Sequence, residues 1–270
     1  MPSFRFLAFG CSHAPLTHAG YWEWLIRKIE WFKPDYVVNC GDWYEGLAGT
    51  RHAKDPRHDW DLFDEHRAVA EQATAINFAA PNATKVWISG NHDDNAFGIH
   101  ADRIPSDLRR VSHWQSNEAV QSSLAGWIIK DRYRHGERYY LGQISFGHGC
   151  PVTDASAKDE CYLYGVPYGL DIRSHTHRPE PVTQCRERKV ILPYWYANTG
   201  TGADWDRMYY MDRQSKALWG RGCVIGEVSC RGEGREVRAT KNWSAETLIH
   251  SWAHQNRDLV TGCTWAPAQT

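Results

Sequence analysis

Long apolar runs are missing from this 270-residue sequence, and none approaches the roughly 18 residues that a bilayer-spanning helix needs. An excess of one charge is missing too. With 31 Lys and Arg against 32 Asp and Glu the formal net charge is −1, which excludes the charge-dominated disordered class and any global attraction to nucleic acid or membrane. There is no CxxC pair. The eight cysteines, at 11, 40, 150, 161, 185, 223, 230 and 263, are scattered, so reduced thiols of a cytoplasmic protein are expected rather than a disulfide framework. The apolar stretch before Gly10 is too short to read as a signal peptide. No repeat, low-complexity tract or linker divides the chain. One domain over 1–270 is expected, with 95–140 as a candidate substrate-shaping insertion. What is abundant is Trp and His, 14 of each.

Hydrophobic periodicity organises the first third. Residues 3–9 alternate as a strand, and 21–32 place Trp22, Leu25, Ile26, Ile29 and Phe32 on one helical face before Pro34. A buried strand follows over 35–40, a second amphipathic helix over 62–78 and a third strand over 85–89. Strand, helix, strand is the short right-handed crossover of a parallel sheet. Beyond the polar stretch, strand-like runs fall at 127–129, 139–146, 169–174, 190–196, 208–211 and 224–228. Ser244 reads as the cap of a last short helix, 245–254.

The chemistry collects where these strands end. Gly10-Cys11-Ser12-His13 follows the first strand, Gly41-Asp42-Trp43-Tyr44-Glu45 the second and Gly90-Asn91-His92-Asp93 the third. Gly147-His148 and Ser174-His175-Thr176-His177 follow two later strands. Strand ends of an open α/β sheet are where ligand sites gather. Imidazoles with a carboxylate and an amide oxygen are the donor set of Zn, Mn or Fe. Seven candidate donors, Cys11, His13, Asp42, Asn91, His148, His175 and His177, exceed the needs of one tetrahedral ion and suit two ions sharing a carboxylate. Such a pair activates water and clamps phosphoryl oxygens, so phosphoester hydrolysis fits best.

In order and content the blocks resemble those of the calcineurin-like metallophosphoesterase superfamily: D-x-H, GDxxD/E, GNHD/E, a lone His and GHxH, here spread over residues 10 to 177. Ala197-Asn198-Thr199-Gly200 looks like the Asn-x-Gly turn that often follows the last pair. The resemblance implies a four-layer α/β/β/α sandwich of two mixed sheets. It implies that Asp42 bridges two metals, with position 11, His13 and His177 completing one site and Asn91, His148 and His175 the other. It implies that His92 contacts the phosphate and protonates the leaving oxygen, with Asp93 orienting or tuning it, while water held between the metals attacks phosphorus. Two departures stand out. Cys11 replaces the first-block Asp, which favours Zn, Mn or Fe, divalent or mixed-valence, over Mg. Ser174 replaces a Gly.

The remaining residues read more plainly. Trp43 and Glu45 are candidates for the substrate pocket, Trp43 as a wall and Glu45 equally as a prop for the motif loop. His52 and His58 follow the second block toward substrate. Arg109, Arg110, Arg132 and Arg134 are either surface charge or a grip on a second phosphate. Cys150, Cys161 and Cys185 lack metal spacing and read as small buried hydrophobes. Without Arg-Gly after Glu45, a protein phosphatase is disfavoured. The expectation is a phosphodiesterase on nucleotide-like or small diesters, with a nuclease or phosphomonoesterase as alternatives. A metal-stabilised binding module without turnover is the alternative from another class. No membrane partner is expected, and the sequence names no protein partner.

Overall fold

A computed structural model describes residues 1–50, 57–97, 109–149, 160–185, 192–209, 211 and 216–255 of the chain. The expected crossover opens it: β1 (Ser3–Phe9), α1 (Ala19–Phe32), β2 (Tyr36–Asn39), α2 (Leu62–Ala79) and β3 (Thr84–Ile88). His18 caps α1 by accepting the Tyr21 N–H, and Lys33 ends it in the left-handed conformation just before Pro34. Asp61 and Asp64 form a reciprocal capping box on α2. α3 (Asn91–Phe97), α4 (Arg109–Ser112) and α5 (Glu118–Ser123) lead to β4 (Ile128–Lys130). β1, β2, β3 and β4 pair in parallel. The 95–140 segment therefore contributes the edge strand of this sheet, and α5 packs on α2.

The rest of the chain is mostly β. β5 (Tyr139–Gly142) and β6 (Ile144–Phe146) form a tight antiparallel hairpin where one strand was expected, because Gly142 turns the chain at φ 59°. β7 (Leu170–Arg173), β8 (Glu180–Cys185), β9 (Tyr194–Asn198) and the two-residue β11 (Gly234–Arg235) join them in a second sheet of order β11-β5-β6-β7-β9-β8. β10 (Gly220–Ser229) and β12 (Trp243–Trp252) run antiparallel on the free side of β1 and complete the first sheet. The expected last helix is thus a strand. Residues 243–252 pair along nearly all of β10, and that ladder overrides the Ser244 cap signal. The run 208–211 is a turn in its described part rather than a strand.

The two sheets are mixed and stack face to face, giving the α/β sandwich. Alternation along β1 shows how: Phe6 and Ala8 face the second sheet's Phe146, Leu170 and Ile172, whereas Leu7 and Phe9 face α1 and α2. The outer face of the second sheet carries buried polar pairs beside a small apolar cluster. Ser145 and Arg138 both donate to buried Asp171, and Arg173 pairs with Glu160 of the helical turn 160–164 that covers this face. That turn is the fourth layer among the described residues. Cys161 and Cys185 are buried together there, while His52 and Cys150 lie outside the described residues. No helix among the described residues is long and apolar enough to cross a membrane.

Candidate metal centre

Five loops leave the C-terminal ends of β1, β2, β3, β6 and β7 and converge at the seam between the sheets. They do so in an uncommon backbone conformation. Cys11, His13, Asp42, His175 and His177 all sit at φ between 51° and 65°, and among the described residues only two other non-glycine residues, Lys33 and Tyr168, have positive φ. Glycine makes the approach possible at two points. A Cβ on Gly41 would lie 2.7 Å from His148 Nδ1, and one on Gly90 would collide with Asp42 Oδ1.

The donors gather in two groups that share Asp42. Ligand atoms of Cys11, His13, Asp42 and His177 lie within 4.8 Å of one another, as do those of Asp42, His148 and His175. In the first group His13 Nε2 is 3.0 Å from His177 Nε2 and 3.9 Å from Asp42 Oδ2. In the second, His148 Nε2 lies 3.1 Å from Asp42 Oδ2, 3.1 Å from Asn91 Oδ1 and 3.0 Å from His175 Nδ1. All seven candidate donors are brought together. Cys11 Sγ accepts the His175 N–H at 3.1 Å, which links the two groups.

Hydrogen bonds behind the rings decide which nitrogens face inward. A carbonyl can only accept, so His148 Nδ1 donates to Cys40 O at 2.8 Å and turns Nε2 toward Asp42. Likewise His92 Nδ1 donates to Glu45 O at 2.7 Å. The Glu45 carboxyl Oε2 holds His13 Nδ1 at 2.8 Å, leaving Nε2 for the cluster. Glu45, His13 and His92 are also mutually close, but here the His13 N–H points at the Glu45 carboxyl and the His92 N–H at the Glu45 carbonyl, a clamp rather than a donor cage. Ser174, in place of glycine, donates its hydroxyl to Cys40 O and so braces the same carbonyl.

Lone-pair donors this close repel one another unless a proton or a cation sits among them. Burial, reinforced by His148, pushes His175 down to about 3, and burial with His13 holds His177 well below the usual imidazole range. Both rings therefore stay neutral, the form that binds metal. Burial opposes charge on Asp42, but His148, His92 and His13 overcome it and keep the carboxylate ionised. Burial and Asp42 push the Cys11 thiol well above its ordinary value, so only a strong positive charge would make it a thiolate. Burial works against a charged His92, yet Asp42 and Glu45 outweigh it and carry that ring up to about 9. By its donor chemistry the cluster fits a pair of cations.

One expected placement is corrected, and two others fall on one side of the expected alternatives. Trp43 does not wall a pocket: it is fully buried on the helix side of the first sheet, against Trp87, Trp127 and Phe9, with Nε1 donating to Gln72. Glu45 is 3% exposed and lies beneath His13 and His92 rather than against a pocket. Asp93 adds to the charge that raises His92, the tuning side of its expected role. Its two oxygens accept the Tyr44 and Gly90 N–H groups, fastening the second and third loops, and burial together with Asp42 pushes it up to about 7. His58 stacks against Trp60 and Tyr209. Two contacts carried no signal in the sequence. Trp219 meets the His177 ring at 4.3 Å and Tyr133 meets His148 at 5.6 Å, each from a loop outside the motif blocks.

The profile of the calcineurin-like phosphoesterase family matches residues 4–179, which contain every one of these donors. The chain belongs to that family. Its metal-dependent phosphoester chemistry accords with the paired donor groups. No curated protein sequence matches the chain. Among solved structures this calcineurin-like phosphoesterase is similar to Vps29 from Cryptosporidium parvum, with TM-score 0.42 and 12% identity over 92% of this chain and 98% of that one. The phosphoesterase YfcE from E. coli gives 0.40 and 13% over 83% and 88%. Zinc-complexed Vps29 from Entamoeba histolytica gives 0.38 and 11% over 91% and 98%.

Proposed function

We propose that this chain is a di-metal phosphodiesterase acting on nucleotide-like or small diesters, in a single domain of residues 1–270. The observation that carries the reading is the pair of donor groups sharing Asp42, with His92 alongside and its Nδ1 committed to the Glu45 carbonyl. In this reading Cys11, His13 and His177 hold one cation with Asp42, and Asn91, His148 and His175 hold the other. Two cations so held would supply an activated water and neutralise phosphoryl charge. The chain's own contribution is positioning and one proton. Glu45 and Cys40 fix the inward nitrogens of His13 and His148. The His92 backbone N–H donates to Asp42 Oδ1 at 2.8 Å, keeping His92 at the rim of the cluster with its Nε2 available to the leaving oxygen. No Ser, Cys or Asp outside the donor set is needed as a nucleophile.

The experiment is turnover of bis(p-nitrophenyl) phosphate by protein loaded with Mn(II), Zn(II) or Fe(II). It is run beside His92→Ala and Asp42→Asn. Loss of the proton donor should lower turnover by about 10²–10⁴. Asp42→Asn should abolish turnover together with metal stoichiometry. Equal rates in all three proteins refute the reading.

A further inference from the structure

Of the side chains that α2 buries, Leu62, Val69, Ala70, Ala73 and Ile76 are apolar, but its first turn also buries Glu65 with no surface exposed. A carboxyl so placed has to be fully partnered. Both of its oxygens are spent on one short stretch of chain. Glu65 Oε2 accepts the Gly46 N–H at 2.9 Å, and Oε1 accepts the Leu47 N–H at 3.0 Å. Gly46, at φ 67°, opens the 3₁₀ turn Leu47–Gly49 just after the second motif block. The turn lies directly on α3, where a Cβ on Gly46 would collide with His92 O.

One peptide group connects this carboxyl to the candidate proton donor. The Gly46 N–H and the Glu45 C=O belong to the same planar unit and point to opposite sides of it, so holding one end aims the other. Glu65 takes the N–H, and the C=O takes the His92 Nδ1–H at 2.7 Å. Hydrogen bonds in such a chain polarise one another, so the carboxyl also strengthens the carbonyl as an acceptor. Burial pushes Glu65 up to about 8, while the Leu47 and Gly46 N–H groups pull it back toward the ionised form. A turn that needed nothing but acceptors would be served by a neutral amide or hydroxyl, without the cost of burying an acid.

We infer that Glu65 is a positioning residue for His92. Through the Glu45–Gly46 peptide it fixes the acceptor that holds Nδ1, and thereby keeps Nε2 turned to the leaving oxygen. The inference rests on the reading of His92 as the proton donor. It gives a role to a side chain that lies outside every motif block and bonds neither the candidate metal donors nor His92 itself.

The test joins turnover to a spectroscopic readout that does not depend on it, both on Zn(II)-loaded protein. Glu65→Ala should lower kcat for bis(p-nitrophenyl) phosphate about 10- to 100-fold with KM within about twofold, as a misaimed proton donor does. Glu65→Gln keeps one oxygen acceptor and should lose only about three- to tenfold. In a His92→Ala background the Glu65→Ala change should cost less than about twofold. In protein carrying ¹⁵N-histidine, the His92 Nδ1–H resonance is assigned by its absence from His92→Ala. It should be protected from solvent exchange in the parent and lost to exchange in Glu65→Ala. Equal losses from Glu65→Ala with and without His92, an unprotected Nδ1–H in the parent, or protection that survives Glu65→Ala would overturn the inference. Should Glu65→Ala not fold, the same comparisons on Glu65→Gln decide. Equal turnover in the parent and His92→Ala would sink the proton-donor reading, and Nδ1–H protection controlled by Glu65 would still stand. Turnover that needs His92, with Nδ1–H protection indifferent to Glu65, would sink the inference alone.

Discussion

Glu45 offers the sharpest perturbation, because it touches no candidate cation position yet holds the ring that does. Its Oε2 lies 2.8 Å from His13 Nδ1 in a fully buried setting, with the His13 ring sealed from solvent. Truncation to alanine leaves that N–H without an acceptor, a desolvation cost of about 1–3 kcal/mol. The ring can avoid the cost by flipping its tautomer or its plane, and either change removes the Nε2 lone pair from the cluster. At about 1.4 kcal/mol per decade this is a loss of roughly 5- to 150-fold in occupancy of the binding geometry. Supporting residues behind metal ligands give the same scale independently, about 10- to 100-fold in affinity. The assay is Zn(II) affinity by competition with a chromophoric chelator, with thermal midpoints of the metal-free proteins checking the fold. Glu45→Gln retains an oxygen acceptor and should keep most of the affinity, so the Ala and Gln variants should differ by about tenfold. If Glu45→Ala binds Zn(II) within a factor of two of the parent, the tautomer argument is wrong.

Two further outcomes follow from the placements above. Trp43→Ala empties a buried site ringed by Trp87, Trp127 and Phe9, so it should cost about 3–5 kcal/mol in urea unfolding while leaving metal stoichiometry intact; a loss of metal without loss of stability would return Trp43 to the site. Cobalt(II) bound beside a Cys11 thiolate should show a sulfur-to-cobalt charge-transfer band that Cys11→Asp lacks. Identical spectra would remove Cys11 from the donor set.

Much of the fold was legible wherever periodicity and burial agree. Leu25 and Ile29 face the core as their spacing required, and the strands ending at Phe9, Asn39 and Ile88 lie within a residue or two of expectation. The donors were legible because glycine beside a polar residue at a strand end is a local signal. What failed was information held in other parts of the chain. Residues 243–252 carry a cap and helix-forming residues, and only the β10 ladder makes them a strand. β8 begins with Glu180 and Pro181, a weak strand start that an edge position tolerates. Trp43 is adjacent to Asp42 in sequence, yet the loop carries it to the opposite side of the sheet, a direction no spacing rule supplies. Glu45 and Asp93 act on the His13 ring and the Tyr44 backbone N–H in other loops, and those partners have no sequence signature.

The backbone of the five loops argues for the donors from a different direction. A left-handed conformation costs a residue with a Cβ about 1–2 kcal/mol. Five of the seven candidate donors adopt it, a burden comparable to the 5–15 kcal/mol by which a whole domain is stable. It persists because the loops lock one another. Past the end of the parallel strands, Cys11 N donates to Gly41 O at 2.7 Å, His13 N to Asp42 O at 3.0 Å and Ala14 N to Trp43 O at 2.7 Å, extending the β1–β2 ladder through the motif. From the other side Thr201 Oγ1 and Gly202 N both donate to Cys11 O, and His148 O accepts the Ser174 N–H. A turn that had only to reverse the chain would place Gly or Asn at these positions, where the conformation costs little. Cys, His and Asp stand there instead, so the strained backbone carries the candidate donor side chains toward a common centre, and it is concentrated where the two donor groups meet.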